Sequence, residues 1–255
     1  MAELALKYIL GRKRGMTQRY TEDGIVVPVT VVDAGPCYVL ALRKSKQNEK
    51  YAAIQLGYEE CRPKVLSRPV LGELGVAKNG AEAKKSDPNK TEKARVGKSL
   101  RFIREARVKQ LPEANIGDTV TVASFVKGEL VDIIGTSKGK GFMGTIRAHH
   151  FSRGPASHGS MNIRQPGSVG SSADPSHTFR GTRMGKHLGA VRSTSKNIKV
   201  HDVDAEKNLI YLNGPVAGPT GGFVMLRAAT SPPPVPKAQP AVKKASQKGG
   251  PVKKK

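Results

Sequence analysis

Five of the six histidines in this chain lie between Ser137 and Lys199, alongside eleven Lys/Arg, ten glycines and one acid, Asp174. The histidines are His149, His150, His158, His177 and His187. No two stand four apart on a helix-like pattern and no cysteine is close, so the segment lacks a zinc-ligand set. A single carboxylate cannot form the acid/base pair that hydrolytic chemistry uses. Ser157 and His158 are sequence neighbours, and adjacency is not evidence of a nucleophile–base arrangement. No catalytic residue, metal ligand or cofactor is assigned.

Two phosphate-binding patterns come close and fail. Gly139-x-Gly141-x-x-Gly144 follows the strand-like run VDIIG, as in a dinucleotide-binding turn. That turn needs a helix next and a carboxylate about 20 residues on. TIRAHHFSRGP does not read as a helix, and Asp174 is the sole acid between Asp132 and Asp202. Gly135-x-x-x-Gly139-Lys140 is one residue short of the nucleotide-hydrolase loop, with Gly141 where a Ser/Thr would hold magnesium. A nucleotide-dependent enzyme using this cluster is therefore disfavoured. What remains suits polyanion binding: glycines bring backbone close to phosphates, and Lys/Arg neutralise them. Ten apolar residues from Phe142 to Leu188 (Phe151, Met161, Phe179 and Met184 among them) would be idle in a plain linker but can wedge against bases and sugars. The expectation is an extended arm that acquires its order inside folded RNA.

Short β-type runs surround this segment. Leu4–Leu10 leads into GRKRG, read as a basic turn, and IVVPVTVV at 25–32 is a β-branched strand. Tyr38–Leu42, Tyr51–Tyr58, Thr119–Phe125, Glu129–Gly135, Ile198–Val203, Leu209–Asn213 and Gly222–Leu226 follow. The expected fold is mainly β: a small closed barrel built from both ends of the chain, with a small inserted α/β unit and a long arm. The expected division is 1–58 and 117–136 for the first barrel strands, 59–116 for the inserted unit and 137–196 for the arm. Final barrel strands occupy 197–229, and 230–255 is a Pro/Lys tail that cannot bury a core.

Composition narrows the partner. The chain has 255 residues, 44 Lys+Arg against 20 Asp+Glu, and a net charge of +24. Residues 1–135 carry 24 basic and 16 acidic groups; residues 136–255 carry 20 and 4. Such a charge calls for a polyanion. No run approaches the roughly 18 apolar residues of a membrane span. MAELALKYILGRKR places its charges after its apolar residues, unlike a secretory leader. Two cysteines, Cys37 and Cys61, are expected to be reduced and partly buried, as in a cytosolic protein.

The order of motifs resembles the universal large-subunit ribosomal protein L-three family in its bacterial form. Gly11-Arg-Lys-Arg-Gly-Met-Thr17 precedes Thr21-Glu-Asp-Gly24, and Asp132-Ile-Ile-Gly-Thr-Ser-Lys-Gly-Lys-Gly-Phe-Met-Gly144 is the strongest match. Ser157-His-Gly-Ser160, Arg164-x-Pro-Gly-Ser-Val-Gly170, Arg180-Gly-x-Arg-Met-Gly185 and Val203-Asp-Ala-Glu-Lys-Asn-Leu209 follow in order. The chain departs from the pattern at Ala148, Ile163 and Ala173. The last stands where some bacterial members carry a methylated glutamine, so that modification is not expected. The resemblance implies a non-enzymatic protein within the cytoplasmic ribosome, its barrel on 23S-type rRNA near the 3′ end, where it nucleates assembly. It also implies an arm reaching toward the peptidyl-transferase centre, and L-fourteen and L-nineteen as protein neighbours. No membrane and no small-molecule substrate are expected. The residues expected to contact rRNA are Arg12, Lys13, Arg14, Lys138, Lys140, Arg147, Arg153, His158, Arg164, Arg180, Arg183, Lys186 and Arg192, with His158 and Arg164 at the inner tip. A DNA-compacting protein is the alternative suggested by the tail.

Overall fold

A computed structural model describes residues 6–43, 51–76, 96–108 and 112–231. The Pro/Lys tail beyond Ser231 and the tract at 83–93 lie outside the described residues. The chain is mainly β. In order, the elements are β1 (Tyr8–Tyr20), β2 (Val26–Ala34), β3 (Cys37–Arg43), β4 (Ala52–Glu60), α1 (Arg68–Leu74), β5 (Leu100–Val108), β6 (Thr119–Val120) and β7 (Leu130–Thr136). Then come β8 (Phe142–Met143), α2 (Thr145–His149), β9 (Lys186–His187), β10 (Arg192–Asp204), β11 (Leu209–Asn213) and β12 (Phe223–Ala228).

Six strands hydrogen-bond around a ring in the order β1-β12-β7-β10-β11-β2, which closes when β2 pairs with β1. The alternation of side chains across each strand explains the closure. Ile9, Val32, Val131, Ile133, Val200, Ile210, Leu212, Val224 and Leu226 all point inward and are fully buried. The two longest strands must curve to follow the ring, and each carries a bulge: β1 between Lys13 and Gly15, β10 between Ser195 and Ile198. GRKRG is therefore not a turn but the bulged middle of β1. Strand-forming residues on both sides and ladders to β2 and β12 override its turn-like composition.

A second sheet, in the order β5-β4-β3-β6, holds three elements expected in the barrel. β3, β4 and β6 pair with one another's edges and with β5 rather than joining the ring. Leu100–Val108, inside the segment expected to be an inserted α/β unit, becomes the edge strand β5 because β4 supplies an eight-pair ladder from Ala52↔Val108 to Glu60↔Leu100. The two sheets share one core. Val39, Ile54, Leu56 and Ala106 bury against the same cluster as Val131 and Ile210, and Phe102 stacks on Phe223 at 4.5 Å. Cys37 sits within that cluster, fully rather than partly buried, its thiol donating to the Leu10 carbonyl at 3.4 Å. Burial pushes the thiol up to about 12.

Asp132 ties the ring to the end of the described chain. Its carboxylate is 1% exposed and accepts from the Asn197 and Thr230 amides (3.2 and 3.3 Å), the Thr230 hydroxyl (3.1 Å) and the Arg227 guanidinium (3.2 Å). Asn197 presents its amide because it sits at the β10 bulge with φ +56°, a conformation Asn tolerates better than most residues. Burial raises the Asp132 carboxyl, but the four donors outweigh it and hold the group below its ordinary value.

Two outcomes follow. Asp132→Asn removes a charge-assisted acceptor and faces an amide group toward backbone donors, so it should cost about 2 kcal/mol by chemical denaturation at pH 7. Because the folded pKa is depressed, this contribution is present above the unfolded value of about 4 and is lost as pH falls through the folded value. The gap between native and variant should therefore narrow below pH 4, and a gap constant with pH would contradict the account. Alkylation of the native protein should label the half-exposed Cys61 and reach Cys37 only after unfolding, as read by mass spectrometry.

Candidate nucleic-acid interface

β7 and β10 are antiparallel neighbours in the ring, with Thr136 opposite Arg192. Everything from Ser137 to Val191 is consequently one long excursion that leaves and returns at adjacent points. Its root is zipped. Ser137 donates to the Val191 carbonyl (2.9 Å), Lys140 to Leu188 (2.8 Å) and Leu188 to Gly141 (3.0 Å); β8 then pairs with β9 through Phe142↔His187 and Met143↔Lys186. His149 Nε2 reaches the Met184 carbonyl at 3.0 Å. Gly189 makes the zip possible: its φ is +79°, and a Cβ there would overlap the Lys138 carbonyl.

Beyond the root, order is sparse. Gly154 donates to Ile163 and Thr182 to Phe179, and short Ser and Thr side-chain turns fill the rest. TIRAH does form a helix, α2, contrary to the sequence reading, but it is five residues long and ends at His150 with φ +60°. It therefore supplies neither the helix nor the βαβ unit that a dinucleotide site needs. Thr145 is the one buried residue between Ser137 and Lys196. Met161 is 92% exposed, Phe142 69% and Phe179 63%, so the apolar residues of the arm find no core in their own chain.

The expected contact residues separate into two groups. Arg14, Lys138, Lys140, Arg147, Arg153, His158, Arg164, Arg180, Arg183, Lys186 and Arg192 are all exposed. Among the described residues, no ion pair engages any of these lysines and arginines. Arg12 and Lys13 differ. Arg12 is held by a two-pronged pair with Glu59 (2.8 and 3.0 Å) and lies 5.3 Å from the Phe102 ring centre. Lys13 is buried, its ammonium donating to the Val216 carbonyl at 2.8 Å, and burial together with nearby Lys138 lowers its pKa. Along β1 successive side chains alternate, so Lys13 turns into the ring while Arg12 turns to the other face, where Glu59 of the second sheet meets it, and Arg14 beyond is exposed. Among the described residues no group of three or more His, Cys, Asp or Glu comes together as a metal site. No described helix is long and apolar enough to cross a membrane.

A family model described as ribosomal protein L3 matches residues 106–224, from β5 through the arm into β12. Large ribosomal subunit protein uL3 of Rhodopirellula baltica is 44% identical over 221 residues, covering 86% of this chain and 96% of that protein. This chain belongs to the ribosomal protein L3 family. The L3-family proteins of Trichormus variabilis (43% over 218 residues, 86% of this chain and 94% of that one) and Pelotomaculum thermopropionicum (40% over 223, 88% and 97%) match over the same extent. The L3 family is structural, not enzymatic. Sequence reading missed Arg104, Arg107 and Arg227. The first two repeat every third residue in Arg101-Phe-Ile-Arg-Glu-Ala-Arg107, a spacing that matches no strand period and so hid an edge strand.

Gly189→Ala tests the root. Placing an L side chain at this φ costs roughly 1–2 kcal/mol before the clash with Lys138 is counted. Amide exchange at Lys140 and Leu188 should accelerate about tenfold while the exchange of Ile133 and Leu226 in the ring is unchanged.

Proposed function

We propose that this L3-family chain is a structural constituent of the large ribosomal subunit that binds 23S-type rRNA near its 3′ end. In this reading the ring is a barrel of the translation-protein kind that seats on rRNA and nucleates assembly. The arm from 137 to 196 runs inward toward the peptidyl-transferase centre, with His158 and Arg164 at its tip. L-fourteen and L-nineteen are its protein neighbours, within the cytoplasmic ribosome.

The observation that carries the reading is the state of the arm's charges. Nine exposed Lys and Arg between Lys138 and Arg192 share one carboxylate, Asp174, and pair with none in the described structure. A surface built for solvent alone intersperses both signs; one with a single sign and no core of its own is complementary to phosphate. The exposed Phe142, Met161 and Phe179 give the same surface apolar faces to set against bases or sugars. Of the barrel residues expected to contact rRNA, Lys13 is buried and Arg12, though partly exposed, is engaged by Glu59. Arg14 remains as the barrel's contact on that strand.

Binding to large-subunit rRNA should therefore fall steeply with salt, each neutralised phosphate adding roughly 0.7–0.9 to the slope of log K against log salt. Large-subunit rRNA fragments should outcompete duplex DNA of equal length at moderate salt. Equal competition would favour the DNA-compacting alternative. Deleting 141–188 joins Lys140 to Gly189 at the root, where Lys140 donates to the neighbouring Leu188 carbonyl at 2.8 Å, and removes no member of the core cluster. The shortened chain should stay folded by circular dichroism and thermal melting while failing to complete subunits in reconstitution.

A further inference from the structure

Away from the arm tip, a cleft of about 830 Å³ opens where the second sheet meets the ring, and three arginines from three strands converge on it. Arg107 comes from the edge strand β5, Arg192 from the first position of β10, and Arg227 from β12. Tyr8 lies between them on β1, directly paired with Arg227, its hydroxyl near the Glu105 carbonyl (3.5 Å) and the Met225 sulfur (3.4 Å). Arg104, Arg192 and Arg227 all act electrostatically on that phenol, whose pKa burial nonetheless raises.

The acids nearby are already used. Glu105 is held by Arg43 at 2.8 Å, and Asp132 is surrounded by its four donors. Arg107 lies over the Tyr51 ring at 4.5 Å, which fixes its guanidinium plane and leaves its edge N–H groups free to donate. Arg192 is exposed and has no carboxylate partner among the described residues. Arg227 spends one nitrogen on Asp132, while its Nε is buried and finds no acceptor in the protein. A buried charged donor without an acceptor is costly, and it adds to the positive field on that side of the cleft.

We infer that this cleft is a second binding site, at the arm's exit and away from its tip, for consecutive phosphodiester groups of an RNA strand, with Arg107 and Arg192 as the accessible donors. The inference rests on the rRNA-binding reading above and adds a location and residues to it. A strand fits better than a lone anion because the cations sit on three separate strands around an open cleft with an apolar floor of Leu6, Val108 and Ile134. Guanidinium forks are suited to phosphate oxygens, and the packed sheets hold them rigidly at little entropic cost. Arg192 also stands at the arm's exit, so a strand held here would continue past the arm's root.

The test uses the full-length chain and an in vitro transcript of large-subunit rRNA, with affinity measured from low to moderate salt. Arg107→Gln/Arg192→Gln should reduce the log K against log salt slope by roughly 0.7–0.9 per lost contact, and Arg107→Lys/Arg192→Lys should restore most of it. Both residues are exposed, and melting temperatures should match the parent. Lys138→Gln/Lys140→Gln on the arm is the reference. If the arm variant loses slope and the cleft variant does not, the cleft inference fails and the function stands; if neither loses slope, both fail. Inorganic phosphate at constant ionic strength should leave the cleft's contribution intact. Its loss would assign the cleft to free phosphate and overturn the strand.

Discussion

The pairing of β7 with β10 is the constraint from which the rest of the molecule follows. These strands are neighbours in a closed ring although 55 residues separate Thr136 from its partner Arg192. Whatever lies between them must leave and re-enter the ring at points one strand spacing apart. The intervening chain has no such freedom at its root and almost complete freedom beyond it. A rigid anchor and a compliant arm are thus one covalent arrangement, not two modules joined by a linker.

Charge is distributed according to that division. The ring and second sheet consume their own cations: Arg12 on Glu59, Lys13 on the Val216 carbonyl, Arg19 on Asp202, Arg43 on Glu105. Most of these pairs are partly exposed and individually weak, so their role is to fix side-chain positions rather than to hold the fold. The hydrophobic cluster common to both sheets does the latter. Between Ser137 and Lys199 one acid remains, Asp174, and no ion pair forms there among the described residues. The same side-chain types therefore serve opposite ends, satisfied within the body and unsatisfied along the arm, depending on whether a carboxylate or carbonyl is within reach.

Much of this was legible beforehand, and the exceptions share a cause. Leu209–Asn213 reads as a strand and is one, because a short apolar run with Ile210 and Tyr211 at its middle stands between polar turns. The arm is legible through composition, which no packing overrides. Gly11–Gly15 misled because local turn propensity yields to ladders on both sides, and the strand's alternation then decides that Lys13 faces in and Arg14 out. β3 and β4 were placed in the wrong sheet because strand identity is written in the local pattern, whereas strand partnership is a long-range choice. The five-residue α2 is too short to leave a 3.6-residue periodicity. Arg107 and Arg192, far apart in sequence, meet only through the fold.

The most direct test of the central claim is amide hydrogen exchange, followed residue by residue, in the free chain and in its complex with large-subunit rRNA. The account predicts slow exchange throughout the ring in both states, with residues 151–183 exchanging at near-unstructured rates when free and becoming protected when bound. Protection of 151–183 already present in the RNA-free chain, at a level comparable to Ile133 or Leu226, would contradict it.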